Sequence, residues 1–371
     1  MRFKALAVLF LLAALLLNSC AAPSTGGTVV TPPATTMPVP STTAPAAEPT
    51  TPAAEPTAAG ALVEDYFPVL ENYRLTYEGV GNEYASYVAY TEFQEGNKLQ
   101  RRIDNGGTVT SRVYKWENGK LIRVNSVPEA YVRQNLLSAP ETESEVLLQE
   151  PLNTGTAWDA ANARRIITGV NVPVQTPLGT YTALEVTTQG TDYKTLDYYA
   201  KGIGLVKSVF QSGDTEVVST LAEMKGDSPF LQVIRLYYPG AEGTGRFYRE
   251  VQLAMTTNMT LTAAIEEAYQ VEPKGKAGRV FTPGTRILSI RKNAGSVLHI
   301  DLNQAFITER TGSRAYEEGV VHSVADTFGE LYQTDKVLLT VEGKPYKSSQ
   351  FSMKEGETLT AEKSGAQIII D

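Results

Sequence analysis

The stretch Arg112-Val113-Tyr114-Lys115-Trp116-Glu117-Asn118-Gly119-Lys120-Leu121-Ile122-Arg123-Val124 sets the architecture of the first half of the chain. Two runs rich in β-branched and aromatic residues flank an Asn-Gly step. That step favours positive φ at both central residues of a tight turn, so the segment predicts an antiparallel hairpin. Working outward, Glu95-Gly96-Asn97 and Asn105-Gly106-Gly107 supply further turns. Upstream, Tyr73, Leu75 and Tyr77 alternate with Arg74, Thr76 and Glu78, and Tyr84 to Phe93 is dense in Tyr and Val. Period-two or doubly covered strands separated by turns predict a meander. Residues 62–226 therefore read as one antiparallel β domain, with a helical or loop excursion near Glu129 to Leu137. The many tyrosines are expected to pack on sheet faces rather than to cradle a ligand.

The turn residues Gly226-Asp227-Ser228-Pro229 end this region. Beyond them the period changes. A strand, Phe230 to Tyr238, stops at Pro239-Gly240, and a glycine-bearing loop leads into Phe247 to Leu253. Thr260 then stands as N-cap before Leu261, Ala264, Ile265 and Ala268, which share one helical face. Strands are expected at Arg286 to Arg291 and Ser296 to Leu302. A second helix is expected from about Ser313 to Tyr332, with Tyr316, Val320, Val324, Phe328 and Leu331 on one side, before a strand at Lys336 to Val341. Two helices against a small sheet make residues 229–350 an α+β domain, followed by a C-terminal extension at 351–371.

Two resemblances attach to these runs. Val233 to Tyr238, Pro283 to Ile290, Val297 to Phe306 and Lys336 to Lys344, in that order, resemble the GerMN domain. Ala268-Tyr269-Gln270 and Thr327-Phe328-Gly329 depart from that family's usual pattern. The resemblance implies an envelope protein of spore formers and their relatives, a fold similar to ring-building motifs, and a structural or adaptor role without catalytic residues. In the first domain, Pro177-Leu178-Gly179-Thr180-Tyr181 before Thr182 to Thr187, and Tyr198 to Lys207, resemble the hairpins of the LolA/LolB lipoprotein fold. That implies a curved, concave sheet able to hold an apolar ligand.

The N-terminus carries a different signal. Arg2 and Lys4 precede an apolar run from Ala5 to Leu17, then Leu17-Asn18-Ser19-Cys20. This is the order of a signal peptide, expected over 1–19. The apolar run, roughly 20 Å as a helix, is short for a ~30 Å hydrocarbon core. Leu17, Ser19 and Cys20 resemble a lipobox, which implies diacylglycerol on the Cys20 thiol and a protein held on the extracytoplasmic face of the cell membrane. Residues 20–61 form the expected lipidated cysteine and linker. From 21 to 60 there are nine prolines, no aromatic residue and no basic residue. Such a segment forms no core and reaches up to about 120 Å if extended.

Composition narrows the function classes. With 33 basic and 41 acidic residues the net charge is −8, and removing Arg2 and Lys4 would make it more negative. No basic cluster offsets it, so nucleic acid is an unsuitable partner. Cys20 is the only cysteine, which excludes an intrachain disulfide and a thiolate metal cluster in the folded part. His299 is expected on a sheet face and His322 on a solvated helix face. Gly240, Gly243 and Gly245 are out of order for a phosphate loop and read as a hairpin turn. No catalytic, cofactor or metal residue is assigned, and Cys20 stands as the single site residue, for lipidation. The expectation is a lipid-anchored, non-enzymatic binding or assembly protein in sporulation, germination or envelope processes. Its partners would be envelope or sporulation proteins, with peptidoglycan a further candidate. A carrier of apolar ligands on the first domain's curved sheet is the alternative, and a wall hydrolase a third.

Overall fold

The computed structural model describes residues 60–293 and 295–369. The expected signal peptide, Cys20 and nearly all of the linker lie outside the described residues. The described residues group as one compact unit.

A one-turn helix α1 (Val63–Tyr66) precedes twelve antiparallel strands: β1 (Arg74–Val80), β2 (Tyr87–Glu95), β3 (Lys98–Asp104), β4 (Val109–Glu117), β5 (Lys120–Val127), β6 (Glu145–Gln149), β7 (Ala157–Ala160), β8 (Ala163–Thr176), β9 (Gly179–Gln189), β10 (Lys194–Ala200), β11 (Gly204–Ser212) and β12 (Thr215–Lys225). The turn joining β4 to β5 has Asn118 at φ 53° and Gly119 at φ 67°, the doubly left-handed backbone that the Asn-Gly step favours. Strands β1 to β6 and β7 to β12 are two meanders. They join through an antiparallel ladder between β1 and β12 from Arg74↔Lys225 to Val80↔Val218. The twelve-stranded sheet curls until its end strands β6 and β7 meet. No ladder joins them. Side chains bridge that seam: Trp158 Nε1 donates to the Val146 carbonyl at 3.0 Å, and Arg165 reaches Glu145 at 2.5 Å. The 129–137 excursion is loop, not helix. At one end of this near-barrel Leu99, Trp116, Leu121, Leu148, Trp158 and Ile167 pack together, plugged by Val63, Tyr66 and Phe67 from α1 and the residue after it.

The second region continues with β13 (Phe230–Pro239), β14 (Arg246–Met255), α2 (Leu261–Gln270), β15 (Ile287–Lys292), β16 (Val297–Leu302), α3 (Ala305–Thr308), α4 (Arg314–Leu331), β17 (Lys336–Val341), β18 (Lys344–Pro345), β19 (Leu359–Thr360) and β20 (Gln367–Ile368). Both long helices start where expected, α2 after the predicted Thr260 cap and α4 after Ser313, which proves to be a cap as well. Thr260 accepts from Ala263 N, and Ser313 from Tyr316 N. Their buried faces, Leu261, Ala264, Ile265 and Ala268 on one and Val320, Val324 and Phe328 on the other, meet strands β13 to β17 in a single core.

Two expectations change. The domain holds two small sheets, β13-β14-β20 and β15-β16-β17-β18 with β19 on β17, where one was expected. The segment from 351 onward is also not an appendage. Met353, Leu359 and Ala361 are buried in the core, β19 pairs with β17, and β20 runs parallel to β14. The two strands of two residues each are too short for a periodic signal, and their partners lie far away in sequence.

The first and second regions are stitched at the turn after β14. Asn72 and Thr257 exchange hydrogen bonds at 2.9 and 2.7 Å, Asn258 N donates to the Glu92 carbonyl at 2.9 Å, and Tyr90 OH donates to the Met255 carbonyl at 3.1 Å. Glu92 itself is fully buried. Its carboxylate takes Arg102 Nε at 2.8 Å, Gln100 Nε2 at 2.7 Å and Ser111 Oγ at 3.0 Å.

Candidate functional site

Two concavities offer themselves. The larger, about 1070 Å³, is a groove walled by the 127–136 segment, by Gln232 to Arg235 of β13 and by the end of α4. Strand β13 pairs only with β14. Tyr237 N points away from β14, to Thr327 Oγ1 at 2.9 Å, and the β13–β14 register runs without a bulge. By strand alternation, the backbone N–H and C=O groups of Leu231, Val233 and Arg235 face the same free side. Leu231 and Val233 are 52% and 61% exposed, and the backbone N–H groups of Leu231, Val233 and Arg235 make no hydrogen bond among the described residues, which leaves this edge unpaired. Open edges of this kind accept a further strand. At the groove's inner end Gln232 Oε1 is buried without a partner. Arg235 bridges Glu250 at 3.1 Å and Glu330 at 3.4 Å, and Tyr237 OH donates to Glu330 at 2.5 Å. Burial, reinforced by Glu330, pushes the Tyr237 phenol well up, so it remains a donor.

The second concavity, about 440 Å³, lies inside the near-barrel beyond its packed end. Arg101, Arg112, Arg123 and Arg165 line it, with Glu145 and Asp197 as its carboxylates and Tyr77, Tyr87, Tyr114 and Tyr199 among its walls. Tyr77 and Tyr87 stack at 4.2 Å between ring centroids. The tyrosines do pack on the sheet, as expected. The arginines make the interior unlike the apolar cradle that the LolA/LolB resemblance implied.

The residues singled out in the sequence fall elsewhere. His299 on β16 sits 2.7 Å from Thr340 Oγ1 on the neighbouring β17, and His322 is exposed on α4. Among the described residues no group of three or more His, Cys, Asp or Glu is placed to hold a metal ion. Gly240, Gly243 and Gly245 form the β13–β14 turn, with Gly240 N donating to the Gly245 carbonyl at 3.0 Å. Among the described residues no helix is long and apolar enough to cross a membrane. The interior arginines were missed. The available signal was parity: Arg101 shares its strand face with Leu99, and Arg112 with Tyr114 and Trp116.

Residues 235–347 match the Germane family model, described as sporulation and spore germination. The match covers just under a third of the chain and bears out the GerMN resemblance there. Among solved structures, the chain is similar to the tandem GerMN domains of the sporulation protein GerM from Bacillus subtilis at 20% identity and a TM-score of 0.28, covering 37% of this chain and 48% of that one. The chain thus spans about half of that protein's length. It is also similar to a Bacteroides fragilis protein described as exported, with a YmcC-like fold, at 12% identity and a TM-score of 0.29, covering 43% of this chain and 98% of that one. A Parabacteroides distasonis protein described as a lipoprotein aligns at 13% identity and a TM-score of 0.26, over 43% of this chain and 98% of its own. No curated protein matches the chain.

Proposed function

We propose, taking a Germane domain at residues 235–347 as premise, that this chain is an extracytoplasmic lipoprotein held by Cys20 that binds and assembles envelope proteins, without catalysis, in sporulation, spore germination or a related envelope process. The observation that supports a binding role best is the unpaired β13 edge opening on a groove large enough for an extended segment. A partner strand laid along it would receive main-chain hydrogen bonds from Leu231, Val233 and Arg235. Tyr131, 55% exposed on the opposite wall, would cover its side chains.

The test exploits strand alternation. Val233→Pro removes a donor from the free side alone and leaves the β13–β14 ladder intact, as edge prolines do. A photo-crosslinker at position 231 in the native host is expected to capture a defined envelope protein, and Val233→Pro to abolish the adduct with little change in melting temperature. An adduct that survives Val233→Pro would refute edge pairing. Normal spore yield and germination after gene deletion would refute the process. For the anchor, Cys20→Ala is expected to move the protein out of the membrane fraction or leave it unprocessed; a processed, membrane-bound variant sinks the lipidation.

A further inference from the structure

The arginines inside the near-barrel are unequally matched. Arg123 is paired with Glu143 at 2.9 Å and with Glu145, and Arg165 with Glu145 at 2.5 Å. These two guanidinium groups use up the Glu145 carboxylate. Asp197 accepts from Ser208 Oγ at 2.6 Å, and burial pushes its carboxyl above its ordinary range.

Arg101 and Arg112 have no such partner. They stand directly opposite each other on adjacent strands, in the register pair Arg101↔Arg112. Like charges so placed repel, with Cβ atoms about 5 Å apart. Arg101 is 5% exposed, donates one hydrogen bond, to the Pro68 carbonyl at 2.9 Å, and lies over the Phe67 ring at 4.2 Å. The Nε atoms of Arg101 and Arg112 are both buried without an acceptor, and among the described residues no carboxylate bridges to either side chain. A protein of net charge −8 thus keeps two cations without a directly bonded carboxylate facing its own interior cavity, Arg112 feeling Glu145 only at longer range while that carboxylate is taken up by Arg123 and Arg165.

We propose that the near-barrel interior binds a small organic anion bearing a carboxylate or phosphate group, held between Arg101 and Arg112. A carboxylate or phosphate accepts in pairs from the planar guanidinium N–H fork and would neutralise the opposed charges. The phenols around it serve the same end. Burial pushes Tyr87 and Tyr199 well above their ordinary value, so both stay protonated and can donate, while Tyr77 OH is committed to the Leu205 carbonyl at 2.7 Å and contributes its ring face. The cavity, about 440 Å³, lies within the range of small-molecule pockets and leaves room for an organic body against the tyrosine rings. Asn82, Tyr84 and Asn105, from the β1–β2 and β3–β4 connections, line its wall, and Tyr84 is 51% exposed there, marking the route in.

The test uses the full chain in detergent and follows its melting temperature with millimolar citrate and, separately, glycerol 3-phosphate, each against sodium chloride of equal ionic strength. A ligand of the native state raises the melting temperature in proportion to the logarithm of its concentration. The proposal expects such a rise with at least one of the two anions, the larger response identifying carboxylate or phosphate as the group recognised. Arg112→Gln is expected to weaken the response about tenfold or more in concentration, while melting without anion no lower than the native chain, because the repulsion is gone. A merely structural Arg112 would instead lower the anion-free melting temperature. If Arg112→Gln does not fold, Arg112→Lys, which keeps the charge but not the planar fork, carries the comparison of anion responses alone and is expected to weaken it. No response from the native chain to either anion, or an undiminished response in the variant, overturns the proposal.

Discussion

Replacing Glu92 by Gln tests the joint between the two folded regions. Glu92 is fully buried, its partner Arg102 is 3% exposed, and the Arg102 guanidinium sits 4.8 Å from the centre of the Phe230 ring, at the first strand of the second region. The substitution keeps the shape and removes the charge. It leaves a buried guanidinium without a counter-ion and places an amide where Gln100 Nε2 and Ser111 Oγ donate. Breaking one side of such a pair costs about 3–5 kcal/mol. For a unit of this size that is a fall of about 6–10 °C in melting temperature. Differential scanning calorimetry reads it. Limited proteolysis at Gly226 to Ser228 reports whether the joint itself loosens, because Arg133 Nη2 also clamps the Glu92 and Thr256 carbonyls, each at 2.8 Å. Replacing the pair together, Glu92→Met with Arg102→Met, removes both charges and is expected to recover most of the loss. A single variant within about 1 kcal/mol of the native chain, or a double variant worse than the single, would refute this account of the joint.

Truncation after Gln350 should lower stability by at least about 4 kcal/mol, through lost burial of Met353 and Leu359 and loss of β19 and β20; circular dichroism melts check it. Gly329→Ala drives a Cβ to 2.2 Å from Ala361 Cβ and 2.9 Å from the Thr334 carbonyl, and is expected to cost about 1–3 kcal/mol, partly relieved by Ala361→Gly. Burial pushes the Glu145 carboxyl up, but the Arg165 hydrogen bond and the Arg123 and Arg165 charges outweigh it, so it titrates below its ordinary 4.5. Its contribution is therefore present above pH 4.5 and lost as the pH falls further. Glu145→Gln should flatten that acid limb of a stability-versus-pH curve, and an unchanged limb refutes the role of Glu145 at the β6–β7 seam.

Local chemistry was legible. The Asn118-Gly119 turn, the Thr260 cap, the start of α4 near Ser313 and the apolar faces of α2 and α4 each depend on residues within a few positions of one another, and each formed as expected. The domain fold and the GerMN stretch followed from such pieces. What escaped was non-local. Strand β3 reads as polar at Gln100, Arg101 and Arg102, yet all three are buried, because the sheet curls over one face and the second region covers the other. Parity places Arg101 on the face of Leu99, but it does not reveal that the opposite face, with Gln100 and Arg102, is covered as well. The free edge of β13 was equally hidden, since an edge is defined by the strand that is missing.

The ladder between β1 and β12 carries a consequence for how the chain is made. The strand that leads the sheet is completed by the one that ends it, so the sheet cannot join its halves until Lys225 has followed Arg74 out of whatever delivers the chain. Until then β1 is an exposed edge with Leu75 and Tyr77 uncovered. Such high contact order makes folding slow and mispairing the chief hazard. The yield of folded protein should therefore respond to chaperones that shield the β1 edge.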